Sequence, residues 1–374
     1  MRFGFDGVPL GQQKTGVGHY TFELAQALAE LAPADEFELV SPVSFAEAVE
    51  SGEPLPANLQ LVNLGVNGWK RRGWWSITLP RYCARANFAL FHGTNFELPF
   101  WSVCPTVLTI HDLSLLLFPE THEKHLVRRA RLKLPRVARK ADAIITPSET
   151  VKSEVCEHLG IGAEKVFAIP EAARRSFYRA SHEEIDAVRK RLDVNGDFVL
   201  FVGTIEPRKN VLSLVRAFEE LDSSHLQLVI AGKRGWLSQE FDAYVASSAI
   251  RERIRFTGHL TDDELRALYS SCTIFVYPSL YEGFGLPLLE AMACGAAVVT
   301  SNVPGIVETV GEVAQLVSPG DIHDLAQGMK NLIENVEERE RRSLAGRRHA
   351  EVFSWRHTAA ATLEVYRKVL QARD

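Results

Sequence analysis

Residues 273–295 read TIFVYPSLYEGFGLPLLEAMACG, and the fold follows from the two changes of character inside this run. TIFVY is short, apolar, β-branched and aromatic, the composition of a strand buried on both faces of a parallel sheet. Pro278 ends it. Gly283 and Gly285, on either side of Phe284, give a turn whose backbone can approach a ligand without side chains in the way. Leu286 and Pro287 then open a helix, where the missing proline N–H would be unpaired in any case, and the helix stops at Gly295. A strand, a glycine turn and a helix N-terminus aim amide groups and the positive end of a helix dipole at the space beyond the carboxyl edge of the sheet, which suits an anion. Glu282 and Glu290 flank the turn with seven residues between them. Carboxylates repel a lone phosphate but accept from a sugar diol, so the pair points to a ligand carrying both hydroxyls and phosphate, such as a nucleotide sugar.

The chain has 374 residues, too many for one ordinary core and enough for two α/β domains. Its net charge of −5 argues against a nucleic-acid binder. Five cysteines are scattered without metal-ligand spacing, and the opening MRFGFDG has no apolar leader, so a reducing cytoplasm is expected. No apolar run approaches the 18 to 20 or so residues that a membrane-spanning helix needs.

The Glu-x7-Glu spacing inside EGFGLPLLEAMACG resembles the donor-site signature of the retaining GT-B glycosyltransferases of family 4, the glycosyl transferases group 1. The resemblance covers nearly the whole chain through several motifs in order. It implies an α/β fold of two Rossmann-like domains whose parallel sheets face each other across a cleft. The expected boundaries are 1–173 for an acceptor-side domain, 180–356 for a nucleotide-sugar domain, and a last helix, 357–374, returning to the first, with a linker near Arg174 to Ala180.

In the first half, a strand, a loop with Gly11, Gly16 and Gly18, and an amphipathic helix open the chain. The glycine spacing is not the dinucleotide fingerprint; the resemblance places Gly16 and Gly18 near the diphosphate or the acceptor. PTVLTIHDL gives a strand ending at His111 and Asp112. Taken alone His111 is compatible with a structural hydrogen bond, whereas the family's HDL motif implies a histidine facing the donor sugar. Residues 124–140 form a predicted helix with eight Lys or Arg and no acidic residue, and GWKRRGWW at 68–75 sets basic residues beside tryptophan. Both are compatible with solvated faces, and both suit an anionic membrane surface. Ser148 is a candidate helix cap. After the strand KVFAIP, where the family usually has glycine, stand Glu171, Ala172 and Ala173, and no site residue is expected in that turn.

In the second half, GTIEPRKN matches the family's second signature: Gly203 and Thr204 at a strand end, then Arg208 and Lys209 to hold the leaving diphosphate. The family often has arginine where Thr204 stands, which leaves the clamp to Arg208 and Lys209. Gly232, Lys233, His259 and Leu260 lie at strand ends where such enzymes receive the nucleotide, and Asn302 to Gly305 are expected to border the donor pocket. TDDEL reads as a helix start capped by Thr261, not as an acidic metal motif.

The resemblance thus implies an enzyme that transfers a hexose with retention, without an established protein nucleophile, metal or other cofactor. Arg208, Lys209 and the helix start at Leu286 would neutralise the leaving group, Glu290 would hold the ribose, Glu282 the sugar, and His111 would donate to it. The motifs look most like bacterial mannosyltransferases and 6-deoxy-mannose transferases of O-antigen or exopolysaccharide assembly, which implies a GDP-sugar donor, a glycan or lipid-linked acceptor, and a cytoplasmic enzyme touching the inner face of the membrane. UDP-sugar transfer, a nucleotide-sugar 2-epimerase and a non-catalytic binder are the alternatives.

Overall fold

Each apolar run expected to be a strand is one in the computed structural model, which describes residues 1–11, 16–46, 54–221, 223 and 225–373. The chain folds as two units. The first comprises Met1–Leu113, Ala130–Glu171 and Ser354–Asp374, the second Ser114–Arg129 and Ala172–Phe353.

The first unit holds a parallel sheet of β1 (Arg2–Asp6), β2 (Glu36–Ser41), β3 (Leu59–Asn63), β4 (Leu90–Gly93), β5 (Thr106–Thr109), β6 (Ala143–Thr146) and β7 (Val166–Ala168), in the order β3-β2-β1-β4-β5-β6-β7. β4, β5 and β6 are buried along their whole length, His92, Thr106, Thr109 and Thr146 included, as strands covered on both faces of a parallel sheet are. The helix Gly16–Leu31 turns Leu24, Ala25 and Leu28 inward, and the final helix Trp355–Gln371 buries Thr362, Val365 and Tyr366 in the same unit. Gln12 to Thr15, in the glycine loop, lie outside the described residues, as do the side chains of Trp69 and Lys70.

The second unit holds β8 (Phe198–Val202), β9 (Gln227–Ala231), β10 (Ile254–Gly258), β11 (Ile274–Tyr277), β12 (Val298–Ser301) and β13 (Gln315–Val317), in the parallel order β10-β9-β8-β11-β12-β13. The sequential order reverses between β8 and β11, and ligands of open α/β sheets bind at the carboxyl ends beside such a reversal. GTIEPRKN follows β8 and YEGFG follows β11, so the topology puts the two signatures side by side.

Two expectations change. Ser114–Arg129, read as part of the first domain, belongs to the second unit, because Phe118 packs on Tyr281 with ring centroids 5.0 Å apart and Trp236 donates its indole N–H to the Thr121 carbonyl at 2.8 Å. Arg174 to Ala180 is not a loose tether: Phe177 joins the core of the second unit and Arg174 is buried.

Candidate active site

The second unit builds its site from the loops that follow β8, β9, β10, β11 and β12. After β8, Gly203 (φ +155°) turns the chain, and Gly232 (φ +141°) presses so closely that an added Cβ would lie 2.0 Å from the Gly203 carbonyl oxygen. The turn Pro207–Lys209 then presents two cations to the loop after β11. Arg208 donates from Nη1 to the Tyr281 carbonyl at 2.9 Å and from Nη2 to Glu206 at 2.9 Å, and its Nη1 lies 3.0 Å from Glu282 Oε2. Lys209 Nζ donates to Glu282 Oε1 and to the Tyr277 hydroxyl, which itself donates to that carboxylate at 3.1 Å. Burial alone would raise the Glu282 carboxyl, but Arg208 and Lys209 outweigh it and hold the group at about 2, so Glu282 is ionised at neutral pH. Burial lowers the Lys209 ammonium, with Glu282 opposing. The formal charges of Glu206, Arg208, Lys209 and Glu282 cancel, and burial raises the Glu206 carboxyl with Arg208 and Lys209 opposing.

Gly285 (φ +97°) caps the helix Leu286–Ala293, whose first turn contains Pro287 and whose second faces Glu290 inward. Glu290 does not stand open. Arg174 grips it with Nε to Oε1 at 2.6 Å and Nη2 to Oε2 at 3.0 Å, and sends Nη1 to Asp262, which also accepts from Ser176. Burial raises the Glu290 carboxyl even against this guanidinium. Asp262 opens the helix Asp262–Ser271, which Thr261 and Glu264 close with a capping box, the helix start expected for TDDEL. His259 lies in the same neighbourhood, within the electrostatic reach of Asp262, Lys233 and Arg174, with Leu260 buried beside it. The glycine turn is braced from the next loop: Thr309 donates to the Phe284 carbonyl at 2.7 Å, and Gly305 passes so close that a Cβ would meet the Glu282 carbonyl oxygen at 2.2 Å. Gly305→Ala is therefore expected to push the turn away, lowering stability by about 1–3 kcal/mol, and to reduce donor binding as well; melting and nucleotide titration of the variant check this.

The first unit holds the remaining predicted residues. His111 follows β5. Its Nδ1 lies 3.0 Å from Glu171 Oε1, its Nε2 lies 2.8 Å from the Thr94 carbonyl oxygen, and Tyr20 meets it edge-on at 4.7 Å between centroids. Tyr20 comes from the helix that begins at Gly16, and Gly18 is buried in that helix, so this helix start and His111 share one end of the sheet. Behind them a buried chain runs from Tyr366 through His92 and Thr109 to the Tyr20 hydroxyl, at 2.7, 2.8 and 2.9 Å. Burial drives the His92 imidazole down to about 3, so it is neutral. Sequence reasoning missed Glu171 and Arg174. It expected no site residue at Glu171 to Ala173 because the family's glycine is absent there, and it gave Arg174 to the linker, yet two charged residues shortly after a strand were the available signal.

A family model described as Glycosyltransferase Family 4 matches residues 14–173, and one described as Glycosyl transferases group 1 matches residues 183–349. The O-antigen chain mannosyltransferase B of Escherichia coli is 29% identical over 387 residues, spanning 98% of this chain and 100% of that one. The serotype-specific mannosyltransferase WbdA of Escherichia coli is 36% identical over 277 residues, 71% of this chain but 34% of that protein. Among solved structures, Anabaena Alr3699/HepE in complex with UDP and glucose superposes with a TM-score of 0.77 at 20% identity, covering 97% of this chain and 98% of that one.

Proposed function

We propose, from the premise that this chain belongs to glycosyltransferase family 4 and has the GT-B fold, that it moves mannose or a 6-deoxy-mannose from a GDP-sugar, with retention, to a glycan or lipid-linked acceptor of bacterial surface polysaccharide. One observation carries the reading: Arg208 and Lys209, from the loop after β8, meet Glu282, from the loop after β11, beside the reversal of strand order. A departing nucleoside diphosphate gains negative charge, and the two cations with the helix start at Leu286 are placed to take it. Glu282 then turns to the hexose hydroxyls. Glu290 keeps lone pairs beyond those that Arg174 occupies, and offers them to the ribose diol. The preference for mannose rests on the two Escherichia coli relatives, and guanine as the base on the motif resemblance.

A thermal-shift screen of GDP- and UDP-sugars, followed by product mass with a lipid-linked acceptor, tests this reading. GDP-mannose or its 6-deoxy relative should stabilise the protein and add one hexose to the acceptor, with activity retained in EDTA. Stabilisation by a UDP-sugar alone would replace the donor, a free epimer formed without acceptor would replace the reaction class, and binding without turnover would leave a non-catalytic binder.

Among the described residues no helix is long and apolar enough to cross a membrane. We read the first unit as meeting the cytoplasmic face of the membrane peripherally. Phe100 and Trp101 are exposed, the Phe100 N–H donates to the Trp75 carbonyl at 2.6 Å, and Lys140 donates to the Phe100 carbonyl from the basic helix Lys124–Lys140. The loop therefore joins Trp75 to Lys140, the last residues of the basic segments 68–75 and 124–140, and sets exposed aromatics beside a cation, the composition of an interfacial surface. Binding to anionic liposomes at low salt, weakened in Trp101→Glu, is the expected result; a protein that ignores such vesicles has no such contact.

A further inference from the structure

The expectation that His111 donates to a ligand meets an obstacle in its surroundings. Both ring nitrogens face acceptors: a carboxylate oxygen on Nδ1 and a backbone carbonyl oxygen on Nε2. A carbonyl cannot donate, and an ionised carboxylate cannot either, so satisfying both contacts requires a hydrogen on each nitrogen. The ring lies deep, with its side chain 12% exposed and that of Glu171 5% exposed, in a setting where an unpaired charge would be expensive.

We propose that Glu171 is a positioning residue for His111, holding it as a doubly protonated imidazolium and thereby fixing a positive charge at the carboxyl end of β5. This rests on the reading above that His111 faces the donor sugar, and it alters the role assigned there. A ring whose two N–H groups are already given to protein is no base. It acts on the substrate through its charge, or through an N–H that leaves the Thr94 carbonyl once a stronger acceptor arrives. The direction of titration agrees: burial lowers the imidazole, and the hydrogen bond and charge of Glu171 overcome that to raise it above its ordinary value. The other titratable groups around it are Asp112, which raises it further, His92, which is neutral, and Tyr20, whose hydroxyl burial keeps protonated. Because the folded value lies above the unfolded one, the pair's contribution to stability is fully present below about pH 6.5 and is lost as pH rises through the raised value.

The test is an NMR titration of the His111 ring in the whole protein, wild type against Glu171→Gln, alongside the pH profile of transfer. Glu171→Gln keeps an acceptor oxygen and removes the charge. The expected result is a fall of about 1–3 units in the His111 midpoint, with the alkaline limb of kcat moving down by the same amount, about tenfold in protonated fraction per unit. Glu171→Asp, which keeps the charge, should restore much of the shift, so a general loss of structure in the glutamine variant would not imitate the result. An unmoved midpoint in folded Glu171→Gln protein overturns the proposal. A midpoint that falls while the pH profile of transfer stays put leaves the Glu171 assignment standing and instead removes His111 from the donor site.

Discussion

Glu282→Gln should bind a free nucleoside diphosphate about tenfold more tightly than the wild-type protein while transferring sugar a hundredfold or more slowly. The tighter binding follows from charge. In the ligand-free protein Arg208 and Lys209 are both engaged by Glu282, with Glu206 sharing Arg208, so the cluster is neutral and a diphosphate must compete with a carboxylate for each cation. Replacing one carboxylate by an amide leaves a net charge of +1 in a buried setting, where one charge-assisted contact is worth about 1.5–3 kcal/mol. The slower transfer follows from the loss of the acceptor for sugar hydroxyls and from tighter retention of the product. Lys209→Ala separates these effects, since it should weaken the diphosphate and lower turnover together, by the factor of about 10²–10³ that follows removal of one donor to developing negative charge. Isothermal titration with GDP and UDP and steady-state transfer on the two variants make the comparison. If Glu282→Gln weakens the nucleotide as Lys209→Ala does, the carboxylate is not competing for the cations and the neutral-cluster account is wrong.

Much of this site was legible because its parts announce themselves locally. The unbroken apolar runs identify parallel strands, the glycine turns mark where strands meet helices, and Pro207 and Pro287 stand in helix starts. Pairing between Lys209 and Glu282 was less legible, since it joins residues 73 apart, although strand order alone brings their loops together. What stayed hidden is the partner of each functional group. His111 and Glu290 both read as ligands with open hydrogen-bonding capacity, and both are answered by the segment after β7, His111 by Glu171 and Glu290 by Arg174. No periodicity marks such residues. A short irregular segment between two domains carries neither a helical nor a strand pattern, and polar composition makes it look solvated. Ser114–Arg129 went astray for a related reason: its position in sequence suggested the first domain, while Phe118 and Thr121 make contacts that only tertiary structure reveals. Asp6 is a third case. Burial at the end of β1 pushes its carboxyl up to about 7 despite a hydrogen bond from the Val8 amide, and nothing in its sequence context marks it.

The second large effect is expected from Arg174→Ala, and its dependence on pH carries the argument. Arg174 and Glu290 are a bidentate pair with side chains 6% and 5% exposed, and removing one member of such a pair strands the other, at a cost of about 3–5 kcal/mol. Glu290 is the member left. Its carboxyl is already above the ordinary carboxylate range with the guanidinium in place, so without it the group should take up a proton in the folded protein. A folded value raised above the unfolded one means that the native state holds more protons between the two, so stability is lost as pH rises through that window. The variant should therefore melt closest to wild type near pH 5 and furthest below it near pH 8. Adding Glu290→Gln to Arg174→Ala removes the stranded charge and should restore most of the melting temperature at pH 8, but not the affinity for the nucleotide, because the carboxylate that accepts from the ribose is then absent. Thermal denaturation at the two pH values, with nucleotide titration of the single and double variants, decides the matter. Equal losses at pH 5 and pH 8 would mean that Arg174 contributes packing against Phe177, whose ring its guanidinium covers at 4.2 Å, and not compensation of charge.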